Sequence, residues 1–405
     1  VSIVLGLERV ATVAAAMGLA RLPFPVVAIA GTNGKGSCAV MLEALLAARG
    51  ARVGSYLSPH LLRYNERVRI AGREAGDEAL CAAFAAVERA RSGVALTAFE
   101  FATLAAVWLL REAGVEVGVL EVGLGGRLDA VNLFDPAVAV ITTIDLDHRE
   151  WLGGDREAVA AEKAGILRPG RPLVCADPDP PRALLAAARE RGARLLRIGA
   201  EFRYRVEADG SWAWRGPGAR LERLAPPGLH GEFQYRNASA ALAAAACLEP
   251  WGLPEAGAAS RALAGVRLPG RIEALAGPVR CVADVAHNRQ AVAALAAWLA
   301  GEPCPGRTLA VCAMLADKDP VGLVEAFAAS ADAWYLAGLG GPRGDDGSAL
   351  AGALAGRAAA GAVHRHPDVP AACRAALAAA RPGDRVVAFG SFLTARAALT
   401  VFASG

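Results

Sequence analysis

VVAIAGTNGKGS, residues Val26–Ser37, decides the fold. Five apolar residues run straight into a loop carrying three glycines, a lysine and a serine, and the helical pattern AVMLEALLAARG follows. A buried strand that ends in such a loop and opens a helix is an anion cradle, because loop N–H groups and the helix N-terminus face the same point. In that reading Gly31, Thr32, Asn33, Gly34 and Gly36 surround the phosphates of a nucleotide, Lys35 reaches the terminal ones and Ser37 can ligate Mg²⁺. The loop departs from GxxxxGK[ST]. Ile29 stands where the first glycine belongs, and Gly36 separates Lys35 from Ser37. The competing reading is a plain strand-to-helix turn.

The same rhythm continues on both sides. VGVLEV (Val117–Val122) and AVAVITTI (Ala137–Ile144) are further continuous apolar runs, each separated from the next by helical segments. Strands of that kind alternating with helices imply a parallel sheet covered on both faces, hence an α/β fold. A second strand–helix series begins at VRCVADVA (Val279–Ala286) and continues through TLAVCAML, AWYLAGL and RVVAFGS. Between the two series lies AGVRLPGRIEAL, with Pro and Gly at its centre, which places a domain boundary near residue 269. Residues 202–224, with alternating FRYRV and Trp-Gly-Pro elements, read as antiparallel strands appended to the first domain.

A chain of 405 residues exceeds one ordinary core and implies at least two domains. No charge-free apolar run reaches the ~18–20 residues that span a bilayer. VSIVLGLERV lacks a basic region followed by a cleavage site, so no signal peptide is expected. The net charge of +3, with arginines and acids interspersed, argues against a nucleic-acid partner. Eight scattered cysteines without a CxxC pair, most of them in apolar runs, suit free thiols in a reducing cytoplasm.

Only three of the 43 basic residues are lysines: Lys35, Lys163 and Lys318. Arginine cannot replace lysine where a compact ammonium or a deprotonable amine is needed, so each survivor is a candidate for chemistry.

Further stretches accompany the loop: SPHLLRYNERVRI (Ser58–Ile70), LEVGLGGRLDAVN (Leu120–Asn132), DLDHREWLG (Asp145–Gly153), AEKAGI, LPGRIE, DVAHN, MLADKD and the late GSF. Together they resemble the bacterial folylpolyglutamate synthase family of the Mur ligase superfamily, in its bifunctional dihydrofolate synthase/folylpolyglutamate synthase form. The resemblance implies a P-loop-type ATPase domain over residues 1–269, then a smaller Rossmann-like glutamate-ligase domain over 270–405, with the active site in the cleft. It implies a monomeric ligase that adds L-glutamate to dihydropteroate and to folates through an acyl phosphate. It departs from the family pattern at Val131, Arg149 and Arg289 and in GSFLTAR, which flank the expected ligands.

What the resemblance implies can be carried residue by residue. Glu121, at the end of VGVLEV, would hold Mg²⁺ with Ser37; its alternative is a carboxylate capping the glycine turn. His148 would ligate a second Mg²⁺. Thr97, Phe99, Asp129 and Ala130 fall where the family holds the pterin, although Phe99 also suits core packing. Arg63 and Arg67 could meet an anionic folate tail or simply be solvated. Asn237 would contact adenine, or cap its helix. Arg271, Asp284 and His287 would complete the ATP site, the alternatives being a surface ion pair for Arg271 and a helix cap for Asp284. Lys318 and Ser391 would bind the incoming glutamate; Lys318 could instead be a turn lysine paired with Asp317 or Asp319.

Lys163 has two readings. It could be a helix-surface lysine paired with Glu162 or Glu157, a task arginine performs elsewhere in this chain. Alternatively, a shielded lysine can lose its proton and react with CO₂, turning a cation into an anionic oxygen ligand. The resemblance points to this carbamylated Lys163 beside the second Mg²⁺.

Rival functions are a monofunctional folylpolyglutamate synthase, another Mur-type amino-acid ligase, and a nucleotide-dependent switch protein. A cell-wall Mur ligase should carry a further domain before its phosphate loop, whereas here that loop begins at Gly31. A switch protein gives no reason for the motifs of the second half.

Overall fold

The computed structural model describes residues 4–341, 343–357 and 362–403. The chain forms two compact units. One comprises the residues up to Gly228 together with Gln234–Arg267, the other Leu229–Phe233 with the residues from Leu268 on.

The larger unit is built on eight strands: β1 (Val26–Ala30), β2 (Val53–Tyr56), β3 (Val68–Ile70), β4 (Arg73–Glu74), β5 (Val117–Glu121), β6 (Pro136–Ile141), β7 (Pro172–Cys175) and β8 (Arg194–Arg197). They lie in the order β4-β3-β2-β5-β1-β6-β7-β8. The six from β2 to β8 in that order are parallel, and β3 and β4 extend one edge antiparallel. Every residue of β1 and β5 is buried, which is why β1 is apolar throughout and β5 is apolar up to its final Glu121. From β1 the chain passes to β2 on one side of the sheet; β6 lies on the other side. Such a reversal opens a crevice beyond the carboxyl ends of the strands.

Three more strands, β9 (Arg203–Val206), β10 (Trp212–Gly216) and β11 (Ala219–Leu224), form an antiparallel sheet. Trp212 and Trp214 of β10 are buried, and the Trp214 indole donates to the Ser239 carbonyl on the helix Phe233–Ala245. The bulk of these tryptophans anchors the small sheet to that helix.

The second unit has six strands: β12 (Glu273–Leu275), β13 (Arg280–Ala283), β14 (Thr308–Cys312), β15 (Ala333–Ala337), β16 (Val363–His366) and β17 (Arg385–Phe389). Their order is β12-β13-β17-β14-β15-β16, parallel except for β12. Phe327, Trp334 and Phe389 pack in its core, with the two phenylalanine centroids 4.3 Å apart.

Among the described residues no helix is long and apolar enough to cross a membrane. All eight cysteines are free thiols, and five are buried. Cys81 is exposed despite its apolar neighbours, because it lies on the outer face of the helix Asp77–Arg91.

Candidate active site

In the larger unit the site grows from the carboxyl end of β1. Gly34 adopts φ +86° and opens the helix Lys35–Ala47. Only glycine suits it: a Cβ there would be strained and would lie 2.5 Å from Asn237 Oδ1. The two threonines after β6 hold the loop. Thr142 Oγ1 donates to the Asn33 carbonyl (2.7 Å), and the Thr32 N–H donates to the Thr143 carbonyl (2.7 Å). Thr32 Oγ1 also donates to the Asp145 carbonyl at 2.9 Å. The Lys35 ammonium folds back onto the loop, donating to the carbonyls of Gly31 (3.1 Å) and Thr32 (3.3 Å). Ser37, one turn into the helix, is buried.

Glu121 ends β5, opposite Ile29 in register, one residue short of the end of the strand that leads into the phosphate loop. It is buried and accepts the Ser58 N–H at 3.0 Å. That turn carries Asp129. Its two oxygens accept the N–H groups of Leu124 (2.9 Å) and Val131 (3.0 Å), which fixes the short 3₁₀ turn Ala130–Leu133. Burial pushes the Asp129 pKa up from 3.8 to about 6, against the pull of those N–H groups and of Lys35. Ala130 is buried beside it. Phe99 is half-buried, and a Cβ on Gly123 would touch its ring edge at 2.5 Å. Thr97 serves as N-cap of the helix Ala98–Glu112, accepting the Glu100 N–H while Glu100 accepts the Thr97 N–H.

Lys163 is the last residue of the helix Arg156–Lys163 and is only 3% exposed. The surface-lysine reading therefore fails. Glu162 pairs with Arg127 instead (2.8 Å), and Glu157 accepts the N–H groups of Arg182 and Ala183. Burial, helped by the charge of Lys35, pulls the Lys163 pKa from 10.5 down to about 7; Asp147 and Asp129 oppose that shift. Lys35, Asp129, Asp147 and Lys163 thus share one electrostatic neighbourhood. Gly165 makes the arrangement possible, since a Cβ there would sit 2.3 Å from Arg127 Cα, backbone against backbone. The Arg127 N–H donates to the Glu162 carbonyl (2.8 Å), and Asn132 Nδ2 donates to the carbonyls of Arg127 and Gly165. The LEVGLGGRLDAVN segment is by this means docked on AEKAGI. His148 is half-buried with φ +51°, in the left-handed region, and its N–H donates to Asp147 Oδ1.

Asn237 is not a helix cap. It lies inside the helix Phe233–Ala245, buried, with Nδ2 donating to Gln234 Oε1 at 2.9 Å. Gln234 Nε2 in turn lies 3.5 Å from Ser37 Oγ. Sequence reasoning passed over Gln234, Thr142 and Thr143. A pair of threonines directly after an apolar strand was the available signal for the last two.

In the second unit the remaining candidates gather at the carboxyl ends of its strands. Asp284 follows β13 and is buried; its oxygens accept the N–H groups of Ile272 and Ala286, both at 2.7 Å. It therefore ties LPGRI to DVAHN, and the cap of the next helix is Asn288 instead. Burial raises the Asp284 pKa, with Arg271 and His287 opposing. The Arg271 guanidinium lies over the Phe392 ring (5.1 Å), and the His287 ring lies 6.2 Å from the same phenyl. Ser391 follows β17 and caps the helix Phe392–Phe402, its Oγ accepting the Thr394 N–H at 3.0 Å. Lys318 lies on the loop after β14, beside β17 in the sheet; its side chain is 5% exposed and its ammonium is 3.8 Å from Asp317. Of the divergent positions, Arg289 is 69% exposed and faces Glu325 at 3.7 Å, Arg149 is exposed, and Val131 is buried.

A phosphate loop at the switch point of a parallel sheet, with a buried serine, carboxylate and lysine around it, defines a nucleotide-using α/β enzyme of the ligase type. Residues 29–245 match the Mur ligase middle domain, and residues 270–392 match the Mur ligase, glutamate ligase domain. The dihydrofolate synthase/folylpolyglutamate synthase of Escherichia coli K12 is 44% identical over 392 residues, covering 96% of this chain and 89% of that protein. A structure of E. coli FolC in complex with DHPP and ADP superimposes with a TM-score of 0.93 at 42% identity, covering 100% of this chain and 94% of the other. A bifunctional folylpolyglutamate synthase/dihydrofolate synthase with Mn, AMPPNP and L-glutamate bound gives 0.90 at 40% identity, covering 99% and 95%. The chain belongs to the dihydrofolate synthase/folylpolyglutamate synthase family of Mur ligases.

Proposed function

We propose that this chain uses ATP to join the amine of L-glutamate to a carboxylate of dihydropteroate, giving dihydrofolate, and of folates, giving folylpolyglutamates. The observation that carries the reading is the middle-domain and glutamate-ligase matches in one chain, whose phosphate loop and buried Glu121 lie at the carboxyl ends of the central strands β1 and β5, with buried Lys163 in electrostatic reach of Lys35. The domain limits we adopt, 1–269 and 270–405, rest on the Pro- and Gly-centred segment AGVRLPGRIEAL, and the matched ranges 29–245 and 270–392 support them.

A carboxylate is a poor electrophile. It first takes the γ-phosphoryl group of ATP, leaving ADP; the glutamate amine then attacks the acyl carbon, phosphate departs and an amide remains. Such chemistry needs alignment and charge neutralisation more than a protein nucleophile. The loop N–H groups from Gly31 to Ser37 and the Lys35 ammonium would hold the phosphates. Asn237 would contact adenine, with Arg271, Asp284 and His287 completing the nucleotide site. Asp129 would accept from the pterin N–H groups, Phe99 would offer its face, and Thr97 and Ala130 would border the ring. Lys318 and Ser391 would receive the carboxylates of glutamate.

The donors present suit a divalent cation. Ser37 and Glu121 offer buried oxygens, and among the described residues no cluster of three His, Cys, Asp or Glu forms a cage. Mg²⁺ is commonly held in this way, by one or two protein oxygens plus substrate phosphates. Bound there, it would neutralise charge on the transferring phosphoryl group. His148 and a carbamylated Lys163 would hold a second Mg²⁺. The buried lysine with a depressed pKa supports the modification: its neutral amine adds to CO₂, forming an N–C bond and releasing a proton. The eight free thiols support a reducing, cytoplasmic setting, and the chain is read as a monomer that binds no nucleic acid.

ATP turnover measured with and without L-glutamate and a pteroate tests the proposal. Glutamate-independent hydrolysis, or dependence on a UDP-muramyl substrate, would end it. Product from tetrahydrofolates but none from dihydropteroate would make the enzyme monofunctional.

A further inference from the structure

Three buried polar side chains stand in a row beneath the phosphate loop. Asn237 Nδ2 donates to Gln234 Oε1 at 2.9 Å, and Gln234 Nε2 reaches Ser37 Oγ at 3.5 Å. Gln234 is 0% exposed, Ser37 2% and Asn237 3%. All three are withdrawn from bulk solvent, so each amide end depends on the partners packed around it. The row is also braced against the loop, because Asn237 Oδ1 occupies the space a Gly34 side chain would need. With its carbonyl accepting from Asn237, the Gln234 amide turns its NH2 group toward the Ser37 hydroxyl.

A hydroxyl on a helix rotates freely unless something fixes it. Donation by Gln234 occupies one lone pair of Ser37 Oγ and leaves the other for a cation. The contact lies at the outer edge of hydrogen-bond reach, and such contacts commonly tighten when a site is filled. Outer partners that orient a metal ligand typically contribute about 10–100-fold in metal affinity or activity. We infer that Gln234 is a positioning residue: it joins Asn237 to Ser37 in one buried chain and orients the Ser37 hydroxyl toward the metal of the metal–nucleotide complex. This rests on the reading of Ser37 proposed above.

The experiment is calorimetric binding of AMPPNP to the full chain, with Mg²⁺ and with chelator. Wild type should bind more tightly with Mg²⁺; if it does not, the reading of Ser37 falls and this inference falls with it. Gln234→Met keeps the volume and removes both hydrogen-bonding ends. It should weaken Mg²⁺–AMPPNP binding about tenfold and leave metal-free binding within about twofold. In a Ser37→Ala background the same change should cost nothing further, because a residue acting through Ser37 has no effect once that hydroxyl is gone. Equal losses with and without metal, or additive losses in the double variant, would overturn the inference. Should Gln234→Met fail to fold, as judged by its melting temperature, Gln234→Glu serves in the same cycle. It keeps the acceptor for Asn237 and loses the donor to Ser37, so unchanged Mg²⁺–AMPPNP binding would count against the inference.

Discussion

Replacing Lys163 by arginine separates a lysine kept for its charge from a lysine kept for its amine. The side chain is 3% exposed and its pKa falls from 10.5 to about 7. At neutral pH about half of such an amine is unprotonated, against about 0.03% for an ordinary lysine, roughly a thousandfold enrichment of the form that reacts with CO₂. Burial is the larger cause and Lys35 the second. Arginine stays protonated and cannot become a carbamate. Lys163→Arg should therefore lose about a hundredfold or more in turnover, at or beyond the upper end of the roughly 10–100-fold that loss of a partner behind a metal ligand costs. Lys163→Ala should lose as much and recover part of it with added acetate or formate, which can occupy the vacated space. The assay is glutamate-dependent ADP release across a carboxylate series, alongside magnetic resonance of the wild type in isotope-labelled bicarbonate, where a carbamate signal should appear. A Lys163→Arg enzyme within severalfold of wild type would refute the reasoning.

Other consequences are equally direct. Gly34→Ala sets a Cβ 2.5 Å from Asn237 Oδ1 at φ +86°, so it should weaken AMPPNP binding more than tenfold and cost about 1–3 kcal/mol in denaturant unfolding. Asp129 titrates near 6 rather than 3.8, so the KM for dihydropteroate should rise as pH falls through about 6, and Asp129→Asn should abolish that dependence. The folded chain holds the Asp129 proton to higher pH than the unfolded chain does. Between about 3.8 and 6 this group therefore makes the fold less stable as pH rises, and Asp129→Asn should flatten that part of the stability profile. Lys318→Ala and Ser391→Ala should raise the KM for glutamate more than that for ATP; Ser391→Ala should also lose about 1 kcal/mol with its helix cap.

The central strands were legible because they are buried on both faces and need no alternation. β1 is an uninterrupted apolar run, β5, β14 and β17 carry a polar residue only at one end, and the loops that follow them carry most of the candidates. The edges were not. β16 reads VHRH and β4 only RE; strands with an exposed side admit polar residues and leave no period to detect. Lys163 was legible through the scarcity of lysine, although nothing local in AEKAGI announces its burial. That burial comes from packing against a glycine turn more than thirty residues earlier. The capping work of Thr97 and Ser391 and the strap made by Asp284 belong to backbone geometry, which residue type only permits. Gln234 was invisible because its partner Ser37 lies 197 positions away in sequence.

The account is tested most directly by supplying the purified chain with ATP, Mg²⁺, L-glutamate and dihydropteroate and following ADP and pterin products together. It predicts one ADP released for each glutamyl amide formed, dihydrofolate first, with neither product when glutamate or dihydropteroate is withheld. ADP release that continues at the same rate without glutamate, or that yields no new amide, would contradict it.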